Sequence, residues 1–315
     1  MRLRVATANV ASGRGPGTAP PLAPPAPSSG DPAEDGSSTS GASDPTRPSH
    51  VRDADALGAA LAALGDVAPD VLAVQELDVG AERSGGVHQP SVVARALAAA
   101  GGDVDWRFAP TVLGVPGSGA EQLPVAGRLE DPRWPEDDRP RYGTALLVRR
   151  PVRRWSALPL RAGGLPLPLP VRHPTTDRPG LLVVQDEPRV AVAAELDGVT
   201  VVAAHLSFAP PVGLRQLRAV RAWAASLPGP VLLVGDLNLP GSLPARVLRA
   251  RALVTRPTYP LPEPTRQLDH VLALPPAGDR RDHPLLPWRT DEVDLALGVG
   301  DHRPLCVDLE VPARG

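Results

Sequence analysis

Val231-Leu232-Leu233-Val234-Gly235-Asp236-Leu237-Asn238 is an apolar run closed by an Asp-X-Asn step. Four consecutive aliphatic residues ending in a glycine read as a strand buried on both faces, and such strands belong to layered α/β cores. The polar step at its end projects carboxylate oxygens and an amide from one place, a donor set suited to a phosphate and a hard metal ion. Asn238 has a single counterpart in the chain, Asn9, which ends another short apolar run, Ala6-Thr7-Ala8-Asn9-Val10. Lysine and isoleucine are absent altogether. In a composition so biased, asparagines that persist at strand ends are expected to have a task.

Working outward, Val71-Leu72-Ala73-Val74-Gln75 is a second compact strand, ending at Glu76. Before it, Leu57, Leu61 and Leu64 recur at helical spacing behind Asp53 or Asp55, and that helix should stop before Pro69. Further strands are expected over 145–148, 190–196, 199–206, 231–234 and 268–272, with Asp197-Gly198 as a hairpin turn. Leu214, Leu217, Val220, Ala224 and Leu227 mark one face of a helix, opposite Arg215, Arg218 and Arg221. The proline-dense stretches 110–140 and 156–189 read as long surface loops. Residues 13–50 are almost wholly Gly, Pro, Ala, Ser, Thr and Asp, with Leu22 the one large aliphatic residue, so the segment is expected to be a disordered insertion in a single domain over residues 1–315.

Bulk properties exclude several classes. At 315 residues the chain can bury a core without staples, and its one cysteine, Cys306, in an apolar run, rules out a disulfide framework and reads as a buried thiol. No run approaches the ~18 apolar residues of a membrane span, and the N-terminal sequence enters strand-like pattern without a leader, so a cytoplasmic protein with no stable membrane association is expected. A net charge of -2 gives no overall field for a polyanion, and aromatics for stacking bases are few. Nothing in the composition specifies an oligomeric state.

Strand ends therefore present Asn9, Glu76, His205, Asp236 with Asn238, and Asp269, and Gly300-Asp301-His302-Arg303-Pro304 precedes the last strand. Singly, each is an ordinary cap or turn former. Together they offer carboxylates, amides and imidazoles but no thiolate cluster, which suits Mg²⁺ or Mn²⁺ and phosphate rather than zinc. Arg139, Arg141, Arg149, Arg150, Arg153 and Arg154 flank one strand and read as a solvated edge or as a flank attracting phosphate, Arg83-Ser84-Gly85-Gly86 as a turn or a loop over substrate, His270 as a structural donor, and His50, His88, His173 and His283 as loop histidines.

With Thr7-Ala8-Asn9-Val10, Val74-Gln75-Glu76, Tyr142-Gly143-Thr144-Ala145, Ala204-His205-Leu206, Gly235-Asp236-Leu237-Asn238, Leu268-Asp269-His270 and Gly300-Asp301-His302-Arg303-Pro304 in this order, the chain resembles the endonuclease/exonuclease/phosphatase (DNase I-like) superfamily. The resemblance implies a four-layer α/β (α+β) sandwich, two mixed β-sheets packed face to face and flanked by helices, with a site at one edge. It implies Glu76 as the main metal ligand with Asn9 and Asp301 beside it, and Asp236 and Asn238 positioning or deprotonating water and binding phosphate. It further implies Tyr142 as a phosphate donor, His302 held by Asp301, and His205 held by Asp269, both rings protonated. Asp236 and His302 both stand as the general base. Ala11 occupies the place of an extra aspartate in the abasic endonucleases, which argues against abasic-site activity. The function implied is a phosphoesterase dependent on Mg²⁺ or Mn²⁺, a phosphodiesterase or nuclease, with nucleic acid among the candidate phosphate-ester substrates. The alternatives are a phosphomonoesterase on a sugar, inositol or lipid phosphate, and a non-catalytic binding module on the same scaffold.

Overall fold

A computed structural model describes residues 1–14, 53–114, 116, 123–124, 129, 139–164, 167–172, 179–275 and 289–311. Its strands, in chain order, are β1 (Arg2–Asn9), β2 (Val71–Val79), β3 (Asp105–Leu113), β4 (Leu123–Pro124), β5 (Arg141–Val148), β6 (Arg154–Leu160), β7 (Leu167–Arg172), β8 (Pro179–Val184), β9 (Arg189–Glu195), β10 (Thr200–Ala203), β11 (Val231–Asp236), β12 (Arg251–Ala252), β13 (Asp269–Leu274), β14 (Arg289–Glu292) and β15 (Leu305–Glu310). The helices are α1 (Ala54–Ala60), α2 (Ala63–Val67), α3 (Gln89–Ala98), α4 (Pro210–Ala224) and α5 (Leu243–Leu248).

One sheet runs β14-β15-β1-β2-β5-β3-β4, a second runs β12-β13-β11-β10-β9-β6, and β7-β8 is a separate ribbon. Both large sheets are mixed: β1 is parallel to β2 and antiparallel to β15, and β10 is parallel to β11 and antiparallel to β9. Alternation along each strand sorts the core into layers. Leu3, Val5, Val71, Ala73 and Leu146 meet Val190, Val192, Val201, Val234 and Val271 between the sheets. On the opposite faces, Leu72, Val74 and Leu147 pack against Leu57, Leu61, Leu64 and Leu97 of the α1–α3 side, and Val202, Leu233 and Leu272 against Leu217 and Val220 of α4. This is the expected four-layer sandwich.

One break in the alternation places a functional side chain. Leu72 and Val74 face the helices, and so do Leu77 and Val79, which requires one extra residue between the pairs. The register of β2 against β5 shifts at that point, between Val74 and Leu77, and Glu76 sits in the bulge with φ 59. The bulge turns Glu76 to the face shared with Asn9, whose position has the parity of Leu3 and Val5.

Local chemistry explains the helices. Asp53 caps α1 by accepting a hydrogen bond from the Ala56 amide at 2.6 Å, and Ala68, left-handed at φ 52, ends α2 before Pro69. The expected single helix is thus split, yet Leu57, Leu61 and Leu64 are all buried. On α4, Arg215 and Arg218 are exposed as expected, while Gln216, Leu217 and Val220 are buried.

Several expectations need correction. Helix α3 was not anticipated; His88 caps it, its Nδ1 accepting from the Ser91 amide at 3.2 Å, so it is not a solvated loop histidine. The ring's pKa falls to about 4 because burial disfavours the cation. The stretches 110–140 and 156–189 are not loops throughout: β3 passes through Pro110, and β6, β7 and β8 lie in or overlap the second stretch. Proline is tolerated because β6 is an edge strand and β3 is bulged between Pro110 and Val112, so neither needs the missing amide in a regular ladder. Of the expected 13–50 insertion, Gly13 and Arg14 are described and buried, and the remainder lies outside the described residues, as do His50, His173 and His283. Among the described residues no helix is long and apolar enough to cross a membrane.

Cys306 is 3% exposed on β15, and burial lifts its thiol to about 12. Native protein should therefore resist a thiol reagent such as DTNB at neutral pH and react fully in denaturant. Rapid labelling of the native state would show that β15 opens locally.

Candidate active site

At one end of the sandwich, Asn9, Glu76, Tyr142, His205, Asp236, Asp269, Asp301 and His302 come together from both sheets, each on or just beyond a strand end. Three glycines allow the close approach. A Cβ on Gly143 would run into the Ala109 carbonyl, one on Gly235 (φ 132) into the Ala204 carbonyl, and one on Gly300 (φ 92) into the Asn9 carbonyl. Each glycine adjoins a site residue, Tyr142, Asp236 or Asp301.

Asp236, fully buried at the end of β11, is the hub. Its Oδ1 accepts the Asn238 backbone amide at 2.9 Å, an Asx-type turn that holds Asn238 at φ 51. Its Oδ2 accepts from Asn9 Nδ2 at 3.1 Å and lies 3.7 Å from His205 Nε2 and 3.9 Å from His302 Nε2. Burial first, then the neighbouring Asp269 charge, raise its pKa to about 7 against the opposing pull of the His302 cation and the hydrogen bonds from Asn238 and Asn9. Asp236 and Asp269 are cross-strand partners on β11 and β13, so two carboxylates stand side by side away from water.

His302 offsets that charge. Its Nδ1 donates to Asp269 Oδ2 at 2.7 Å, and its Nε2 lies 4.0 Å from Asp301 Oδ1. Burial disfavours the charged ring, but Asp269, Asp236 and Asp301 together outweigh that cost and raise its pKa to about 10. The Tyr259 ring stacks at 4.8 Å, tilted by 49°.

The expected partners of the histidines are corrected here. Asp269 holds His302, not His205, and Asp301 approaches His302 only at 4.0 Å. His205 Nδ1 faces Arg189 Nη1 at 3.2 Å instead. Its pKa is well below the usual histidine value, through burial first and then the Arg189 and His302 charges, so this ring is neutral rather than protonated.

Asn9 Nδ2 also donates to Glu76 Oε1 at 3.0 Å, while Asn9 Oδ1 accepts the Ala11 amide at 3.0 Å. The amide thus ties two carboxylates together across the gap between the sheets. Asn238 Nδ2 donates to the Leu206 carbonyl at 2.9 Å and so braces the segment that carries His205. Tyr142 is buried beneath the Arg83 guanidinium, 5.7 Å from its ring centroid, and burial followed by the charges of Glu76 and Glu187 raises its phenol pKa. Arg83 is bound to Asp78 and Ser12, so its segment is a turn buttressing the site rather than a loop over substrate. His270 points away, bonded to the Leu239 carbonyl. Arg149 and Arg150 are engaged by main-chain carbonyls and Asp70, Arg153 by Asp197. Arg153 and Arg154 are exposed, as a solvated flank requires, whereas Arg141 is buried and departs from that expectation.

Four site residues were missed. Arg14 is buried with Nη2 3.9 Å from Glu76 Oε2, Arg189 and Glu187 stand 3.7 Å apart behind His205, and Tyr259 covers His302. Tyr259 had a signal: the chain has only two tyrosines, and both are at the site, the same scarcity that singled out the asparagines.

Two groups of oxygens bear on a metal. Asp236, Asp269 and His302 have ligand atoms within 4.8 Å of one another; the His302 ring proton occupies Asp269 Oδ2, while the buried Asp269 Oδ1 has no hydrogen-bond partner among the described residues. Glu76 and Asp301 differ: both carboxylates are partly open, 23% and 18% exposed. Burial and the Glu76 charge push the Asp301 carboxyl up. Two mutually repelling carboxylates with oxygen-only donors fit a hard divalent cation.

A model of the Endonuclease/Exonuclease/phosphatase family matches residues 6–297. Among solved structures, the chain is similar to an endonuclease/exonuclease/phosphatase from Beutenbergia cavernae DSM 12333, at 19% identity and TM-score 0.55 over 98% of this chain and 72% of that one. A family protein from Leptotrichia buccalis C-1013-b aligns at 9% identity and TM-score 0.50 over 98% and 99% of the two chains. A mannosyl-6-phosphatase from Bacteroides thetaiotaomicron VPI-5482 aligns at 14% and 0.48 over 98% and 99%. No curated protein matches the sequence.

Proposed function

We propose, given that the chain belongs to the endonuclease/exonuclease/phosphatase family, that it is a phosphoesterase dependent on Mg²⁺ or Mn²⁺ and that its reaction is hydrolysis of a phosphodiester by direct attack of water. The observation that carries this reading is the convergence of Asn9, His205 and His302 on one oxygen of Asp236. A carboxylate raised toward neutrality by burial is suited to take a proton from water. A cationic imidazole beside it is suited to stabilise charge growing on the phosphoryl and leaving oxygens.

In this reading Asp236 is the general base. His302 cannot share that role, because its ring already carries both protons. Asp269 fixes the His302 ring, and Asn9 aligns Glu76 with Asp236. Glu76 and Asp301 are the residues that would hold the metal, with Asn9 bracing Glu76 through its amide nitrogen rather than serving as a principal ligand. A bound divalent ion supplies Lewis-acid stabilisation of the phosphoryl oxygens. Tyr142 contributes a hydroxyl that burial keeps protonated and able to donate. Asn238 acts through Asp236 and the main chain of Leu206. Site residues span the sequence from Asn9 to His302, which supports reading the chain as one domain.

The test is hydrolysis of plasmid DNA, RNA, sphingomyelin, inositol phosphates and sugar phosphates with Mg²⁺, Mn²⁺ or EDTA, with His302→Ala as the blank. Metal-dependent turnover of a diester, absent in the variant, is the expected result. Turnover of monoesters alone would reassign the reaction class. Hydrolysis that persists in His302→Ala would remove that residue from the mechanism.

A further inference from the structure

Arg189 opens β9 and is 5% exposed. Its Nη1 lies 3.2 Å from His205 Nδ1 and 3.7 Å from Glu187 Oε2, and its Nε has no hydrogen-bond partner among the described residues. A guanidinium carries donors only and does not lose its proton in proteins. The imidazole nitrogen facing it must therefore accept. An acceptor at Nδ1 leaves the one ring hydrogen on Nε2, and Nε2 is the atom turned toward Asp236 Oδ2 at 3.7 Å.

We propose that Arg189 is a positioning residue that locks His205 as the neutral, Nε2-protonated imidazole, so that the two histidines of the site act with different charges. His302, bonded to Asp269, is the cation. His205 is a neutral donor whose N–H is aimed at the place where Asp236 and a phosphoryl oxygen meet. The assignment of that N–H to phosphate rests on the hydrolase reading above; the tautomer does not.

The charged groups facing His205 are two cations, which oppose a second ring proton, and two carboxylates, each already engaged by another partner. From β9 comes Arg189, and from the segment just before it Glu187, already engaged by Arg189, its Oε2 buried and without a hydrogen-bond partner among the described residues. From β11 comes Asp236, which is held by Asn9 and the Asn238 amide. The segment before β15 brings His302. Arg189 and the His302 cation both oppose a second proton on the His205 ring, and burial acts in the same sense. The neutral state is imposed from more than one side.

The experiment is two-bond ¹H–¹⁵N spectroscopy of histidine-labelled full-length protein, metal-free and with Mg²⁺, His205 being assigned through His205→Gln. Between about pH 5 and 8, where an unperturbed histidine titrates, His205 should remain neutral with its hydrogen on Nε2. Arg189→Lys, which keeps the charge and a donor, should preserve that state. Arg189→Met should release the tautomer: with no donor facing Nδ1, the ring hydrogen becomes shared between Nδ1 and Nε2. The double variant Arg189→Met/Glu187→Gln removes the stranded carboxylate and carries the test if the single variant is poorly folded, the His270 signal serving as a fold reference. A charged or Nδ1-protonated His205 in the wild type, or an unchanged tautomer in the folded Met variants, would overturn the proposal. Because the readout needs no turnover, failure of every substrate would sink the hydrolase reading and leave this one standing.

Discussion

Glu76→Gln is expected to lower metal-dependent turnover by about 10³-fold or more, a rise of about 4 kcal/mol in the barrier, while the protein stays folded. The substitution keeps the side chain's volume and removes its charge. Glu76 lies in the β2 bulge, accepts the Asn9 amide at 3.0 Å and faces Arg14 at 3.9 Å, with its remaining surface open to solvent. Nothing in the core depends on it. Its backbone is left-handed at φ 59, a conformation that costs a non-glycine residue about 1–3 kcal/mol. Glu76→Gly should therefore be inactive yet at least as stable as the wild type in urea denaturation. A Gln variant with full activity would remove Glu76 from the reaction, and a Gly variant that loses several kcal/mol would show that the bulge is held by the side chain.

The second large effect is on folding. Gly235→Ala and Gly143→Ala should each cost more than about 3 kcal/mol, a large fraction of a typical domain's stability. At both positions the added methyl meets main-chain carbonyl atoms of the adjacent strand, Ala204 on the β10 side and Ala109 on β3. Main chain in the middle of a sheet cannot rotate away as a side chain can. Gly235 adds a φ of 132, which L-residues rarely adopt. Chemical denaturation measures the loss directly. A cost under about 1 kcal/mol at either site would mean that the strands can part there without penalty.

Much of this site was legible in the sequence because its residues adjoin apolar runs that could only be buried strands. Asn9, Glu76 and Asp236 close such runs and Asp269 opens one, and their convergence follows from a sandwich whose strand ends share an edge. Pairing was not legible. Which aspartate holds which histidine depends on the lateral order of β11 and β13 and on where the segment before β15 crosses them, and sequence order carries no such information. Arg189 was hidden because arginine is the chain's only non-histidine cation and so carries no scarcity signal, and Arg14 because it lies at the margin of a low-complexity stretch. Strands β3 and β6 were obscured by Pro110 and Pro159, which edge positions and a bulge make harmless.

The division of the site between two sheets has a mechanical consequence. Asn9, Glu76 and Tyr142 ride on one slab, and Arg189, Asp236 and Asp269 on the other, joined across the gap by the Asn9 amide. The facing surfaces are aliphatic layers of valine, leucine and alanine, whose attraction is non-directional and fixes no polar contact between the slabs. A slide of a fraction of an ångström would leave both slabs intact and the Asp236 contacts out of register. In the phosphoesterase reading, turnover would therefore report inter-slab alignment, and trimming buried Val192 or Leu146 should lower turnover and melting temperature together.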